Sequence, residues 1–191
     1  MEINLIEINL IIIFIMLIMC ISMFAYTISR YKKCPPGKIL VVYGQTGGAP
    51  KYITNGGIFI LPIIQNYTYL DLAPMAIDIV LKNALSLDNT RIDISFMVTI
   101  AISNDPGVID NAVERILGQN QEAIQSMAKD IILGQSRLII AQTNPNDLKK
   151  NLDKFISLIF QNVDYELKKL GLKLINININ SIIDEGGKRL I

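Results

Sequence analysis

The chain has 191 residues, with 18 basic and 17 acidic side chains, two cysteines, no tryptophan and no histidine. That balance excludes a strongly basic nucleic-acid surface, and two cysteines exclude a disulfide framework. Without histidine, the commonest general base and the commonest zinc ligand are both missing.

The first predicted element is a transmembrane helix over Leu10–Ser29, LIIIFIMLIMCISMFAYTIS, which carries no charge. Twenty residues at about 1.5 Å each span roughly 30 Å, the thickness of the hydrocarbon layer. A soluble helix would show a polar stripe, and none is present. A cleaved leader is disfavoured, because Glu2 and Glu7 stand where a basic start belongs and no small-residue cleavage site follows. Arg30, Lys32 and Lys33 form a basic juxtamembrane cluster on the C-terminal side, whereas no Lys or Arg precedes the run. The positive-inside tendency then places residues 1–9 outside the cell and everything after the span in the cytoplasm.

Residues 30–37 read as a basic linker, stiffened by Pro35-Pro36, between the span and a domain over 38–185; residues 186–191 read as a tail. Lys38–Tyr43 is β-branched and apolar, hence a strand. Gly44–Pro50 is a glycine-rich loop with no Gly-Lys-Ser/Thr to make it a phosphate loop. Lys51–Thr54, Asn55-Gly56-Gly57 and Ile58–Leu61 predict a hairpin with a type I′ turn. Its second arm and the residues that follow, Ile58, Phe59, Ile60, Leu61, Ile63 and Ile64 around Pro62, are more apolar than a half-wet strand requires. Core burial explains such a run, and contact with the bilayer surface is the functional alternative.

Strands follow over Asn66–Leu72, Met75–Leu81 and Arg91–Ser103, the last with Ile92, Ile94, Phe96, Val98, Ile100 and Ile102 on one face. Asp105 as N-cap and Pro106 at the first helical position predict a helix that Gly118 ends. Asn120 predicts the cap of a second helix, with Ala123, Ile124, Met127, Ala128, Ile131, Ile132, Leu138 and Ile139 inward, interrupted at Pro145. A third runs from about Asp147 to Leu170 with Gly171 at its stop, and Leu172–Ile183 closes the chain as a strand with Ile175, Ile177 and Ile179 on its buried side. The order predicts an α+β fold: a mostly antiparallel sheet with helices on one side.

Nothing in this order assembles a catalytic, cofactor or metal site. Both cysteines, Cys20 and Cys34, lie in or beside the span, no serine occupies a nucleophile elbow, and Asp71, Asp78 and Asp93 fall on polar strand faces. An enzyme is not expected, and neither is a cofactor.

Four segments in order carry a resemblance. Tyr31–Gly44 (YKKCPPGKILVVYG), Gly56–Gln65 (GGIFILPIIQ), Asp130–Ala141 (DIILGQSRLIIA) and Leu167–Ile179 with Ile183-Asp184-Glu185 resemble the SPFH (band 7) domain of bacterial flotillin-like proteins. The resemblance implies a membrane-anchored, non-enzymatic scaffold that forms homo-oligomers through this domain and organises membrane microdomains (lipid rafts). Its partners would be the bilayer and membrane-protein clients, not nucleic acid. Other band 7 relatives imply an alternative, a regulatory partner of a membrane protease or transporter. Flotillin-like chains continue into a coiled-coil region, and no such heptads are found here.

Overall fold

A computed structural model describes residues 5–44, 49–144 and 151–184. Residues 45–48 of the glycine-rich loop, Pro145, the start of the third helix at 147–150 and the tail lie outside the described residues. The chain divides into two compact units, Met1–Tyr69 and Leu70–Ile191.

The first unit begins with α1 (Leu5–Ser29). Within it Ile8–Ser29 forms a 22-residue stretch of mean hydropathy 2.8, long and apolar enough to cross a membrane, with none of its side chains buried by protein. Then follow β1 (Tyr31–Lys33), β2 (Lys38–Tyr43), β3 (Lys51–Ile53), β4 (Gly57–Phe59) and β5 (Asn66–Asp71), the last running across the division between units. β3, β2 and β5 form one small sheet, β1 and β4 another. A small core of Leu40, Val42 and Ile60 joins them, with Cys34, Ile53, Ile58 and Tyr69 packed around it.

The expected 51–61 hairpin does not pair with itself. β3 pairs with β2, Leu40 opposite Ile53, while β4 pairs with β1, Tyr31 opposite Phe59. A type I′ turn needs positive φ at two successive residues. Gly56 has φ 85°, but Asn55 is not left-handed, so the arms diverge into separate sheets.

The second unit is the α+β layer structure that the sequence predicts. β6 (Met75–Leu85), β7 (Arg91–Ile102) and β8 (Leu172–Asp184) form an antiparallel sheet in that order. α3 (Gln121–Ala141) lies against β6, α4 (Leu152–Lys169) against β8, and the two helices pack on each other. All six alternate β7 residues from Ile92 to Ile102 are buried, so the central strand is the floor of the core. Asn120 caps α3 as expected, its Oδ1 accepting from the Ala123 N–H at 2.9 Å.

Three expectations are corrected here. α2 (Val108–Ile116) starts after Gly107, whose φ is 84°, and not at Asp105-Pro106. The Asp105 carboxylate instead accepts from the Ser103 hydroxyl at 2.9 Å, while its carbonyl accepts from the Val108 and Ile109 amides. Leu138 is exposed, because the buried stripe of α3 runs Ile124, Ala128, Ile132, Ser136, Ile139 and Ile140, with a serine holding the inward position two residues before Leu138. Ile175 is exposed because β8 carries two bulges against β7: Thr99 faces Asn176 but Ile100 faces Leu174, and Ser95 faces Ser181 but Phe96 faces Ile179. Each bulge inserts one residue and reverses the alternation, so Leu174, Ile177 and Ile182 share a face although their spacing is irregular.

The strand carboxylates have structural work. Asp93 Oδ1 accepts from the Asn83 N–H at 2.6 Å, at a β6 bulge where Asn83 has φ 52°. Asp71 Oδ1 accepts from the Ala73 N–H at 3.0 Å. Asp164 on α4 ties helix to sheet, accepting from the Leu174 N–H at 3.1 Å and pairing with Lys168 at 2.7 Å. The hydrogen bond that Lys168 Nζ donates to the Asp164 carboxylate, together with the Asp164 charge, holds the Lys168 ammonium above the usual lysine range. A lysine raised in this way contributes stability below its unfolded value, and the contribution fades as pH rises past the folded one.

Candidate membrane-contact surface

The end of α1 is wired into the small sheets. Arg30 follows the helix directly, and its carbonyl accepts from the Ile60 N–H at 3.1 Å. The next three residues, expected as linker, form β1 and pair with β4 over Tyr31–Phe59, Lys32–Ile58 and Lys33–Gly57. The Cys34 N–H donates to the Gly56 carbonyl at 2.9 Å. The Cys34 thiol donates to the Lys38 carbonyl at 3.1 Å. Gly57 has no room for a side chain, since a Cβ there would meet the Lys32 carbonyl and the Tyr31 ring at 2.7 Å. The Tyr31 and Phe59 rings pack with centroids 5.0 Å apart.

This wiring sorts the apolar run of residues 58–64. Ile60 is only 4% exposed, in the core beside Leu40 and Val42, and Ile58 packs half-buried against that core. Ile60 is thereby corrected from surface to core. Phe59, Leu61, Ile63 and Ile64 point outward, 61%, 59%, 91% and 45% exposed. A turn holds the last three: the Ile64 and Gln65 amides donate to the Leu61 carbonyl at 3.1 and 2.8 Å, and the Leu61 N–H donates to Gln65 Oε1 at 3.2 Å. Pro62 fits this turn, being suited to a φ near −65°. Four large apolar side chains are therefore displayed, Phe59 at the end of β4 and three on a hydrogen-bonded turn tied within one residue to the end of an apolar helix. Exposing such a patch to water costs roughly 25 cal/mol per Å², so it marks a contact surface.

The basic residues surround the same junction. The Arg30 guanidinium stacks on Tyr26 at 4.6 Å, and its Nε is buried without a hydrogen-bond partner among the described residues. Lys32 lies 5.5 Å from the Tyr67 ring centroid. Lys33 is exposed on the register face that carries Tyr31 and Phe59. Among the described residues no group of His, Cys, Asp and Glu is placed to hold a metal ion.

A family model described as "SPFH domain / Band 7 family" matches residues 32–186. The chain belongs to this family. The match begins inside β1, so Lys32 and Lys33 lie within the matched stretch. The chain is 24% identical over 187 residues to a flotillin-like protein of Bacillus subtilis, FloT, covering 92% of this chain and 36% of the relative. It is 21% identical over 153 residues to human flotillin-1, covering 80% of this chain and 36% of that protein. The chain thus spans about a third of the length of these curated relatives. This SPFH protein is flotillin-like and membrane-associated at the level of its family, one of scaffolds and not generally of enzymes.

Proposed function

We propose that the chain is a membrane-anchored flotillin-like scaffold that holds itself to the bilayer twice, through α1 and through Phe59 of β4 with the adjoining turn that displays Leu61, Ile63 and Ile64. The observation that carries the reading is the coupling of that turn to the helix end through the Arg30–Ile60 hydrogen bond. A helix crossing the membrane brings residue 30 to the interface, and the turn comes with it. Homo-oligomerisation through the SPFH domain and the organisation of microdomains follow from the flotillin resemblance. Anchoring concentrates copies in one plane with one orientation, which lowers the cost of assembling them side by side.

The basic residues after the span support an orientation with the SPFH domain in the cytoplasm. With Cys20 and Cys34 replaced by serine, Asn120→Cys supplies a single exposed thiol at the start of α3. A membrane-impermeant maleimide is expected to label it only after the cells are permeabilised. Labelling of intact cells would reverse the orientation.

A further inference from the structure

The near-neutral net charge of the chain hides a strong separation of charge. From Ile8 to Leu70 there is no aspartate or glutamate, while Arg30, Lys32, Lys33, Lys38 and Lys51 are all basic. Apart from Glu2 and Glu7, every acidic residue belongs to the second unit. The part of the first unit that follows the span is therefore purely cationic, and it is also the part that carries the exposed apolar turn.

We infer that the first unit selects anionic phospholipids, its lysines meeting headgroup phosphates while the Leu61–Ile64 turn enters the acyl boundary. This rests on the proposed bilayer contact and adds a lipid class to it. Three observations converge. Charge of one sign sits beside apolar side chains, the pairing that lets an amphipathic surface favour an anionic leaflet. Lys33 shares a strand-pair face with the Tyr31–Phe59 aromatic pair, so charge and apolar contact are presented together. The Arg30 guanidinium stacks on Tyr26 at the end of the span, which holds its charge at the level of the headgroups. Positive-inside topology alone asks only for basic residues near the span. It accounts neither for the missing carboxylates through Leu70 nor for Lys51, which is exposed on β3.

The absence of tryptophan makes the test direct. Ile63→Trp in the full chain places one fluorophore at the most exposed position of the turn, where substitution disturbs no packing. The protein is reconstituted in nanodiscs of equal phosphatidylcholine and phosphatidylglycerol, with either lipid brominated on its acyl chains. Both leaflets have the same composition, so orientation in the cell does not enter. Brominated phosphatidylglycerol is expected to quench the introduced indole about twofold more than brominated phosphatidylcholine in low salt. High salt or the added changes Lys32→Gln, Lys33→Gln and Lys51→Gln should bring the two together. Equal quenching by both lipids in low salt would overturn the lipid selection but leave the bilayer contact standing. No quenching by either, with Phe59→Trp giving the same result, would overturn the contact itself and the selection with it.

Discussion

Deleting residues 1–29 is expected to move most of the protein from the membrane pellet to the soluble fraction. The deleted stretch is the one helix among the described residues long and apolar enough to cross a bilayer. Burying an apolar helix of this length in hydrocarbon far outweighs what one short turn can gain at the interface. What remains on the membrane should depend on the turn. In the deletion variant Ile63→Ser is expected to lower residual vesicle binding severalfold without lowering the melting temperature, because Ile63 touches almost nothing in the fold. Ile60→Ser behaves differently. It places a hydroxyl in the core with Leu40 and Val42, at a cost of about 2–5 kcal/mol, and should unfold the small sheets before binding can be read. Circular dichroism melts alongside vesicle flotation separate the two effects. Equal loss of binding with unchanged melts would mean that Ile60 is surface. Full retention of the deletion variant on membranes would move the main anchor elsewhere.

Gly171→Ala is expected to be the most damaging single methyl in the second unit. Gly171 ends α4 with φ 85°, the left-handed conformation that terminates helices and that a Cβ disfavours by about 1–2 kcal/mol. Its own Cβ would also fall on the backbone N, Cα and Cβ of Ala112 in α2. Three polar contacts fix that approach. The Ser103 N–H donates to the Gly171 carbonyl at 2.9 Å, the Gly171 N–H to the Lys168 carbonyl at 3.0 Å, and Asn111 Nδ2 to the same Lys168 carbonyl at 3.0 Å. Because backbone rather than a flexible side chain fills the space, α2 must move away from the α4–β8 turn. A loss of about 4 kcal/mol or more is expected, read as a large fall in the denaturation midpoint. Gly118→Ala is the control. Gly118 also has positive φ but open space around it, so it should lose only about 1 kcal/mol.

The contrast between these glycines shows what the sequence carried. Both helix stops were legible, because a glycine after a periodic apolar stretch has a local meaning. The alternation of β7 was equally plain, since Asp93, Ser95 and Thr99 mark its outer face. Ile58–Ile64 offered no such marks: with every residue but Pro62 apolar, nothing local told Ile60 from Ile63. The Arg30 carbonyl that fixes Ile60 is far away in sequence. Partner choice hid the strand pairing for the same reason, because the Asn55-Gly56 signal speaks of a turn and not of which strands the arms join. The β8 bulges leave no trace in the Ile-Asn repeat, which reads as perfect alternation. The cationic first unit was concealed by arithmetic, since its excess cancels against the second unit.

For the scaffold reading, the most direct measurement is the mass of the intact chain extracted in a mild detergent, by light scattering with the micelle subtracted. Assemblies of many copies are expected, persisting when the protein is diluted. A monodisperse monomer would contradict the scaffold and leave an anchored SPFH domain with a single-partner role.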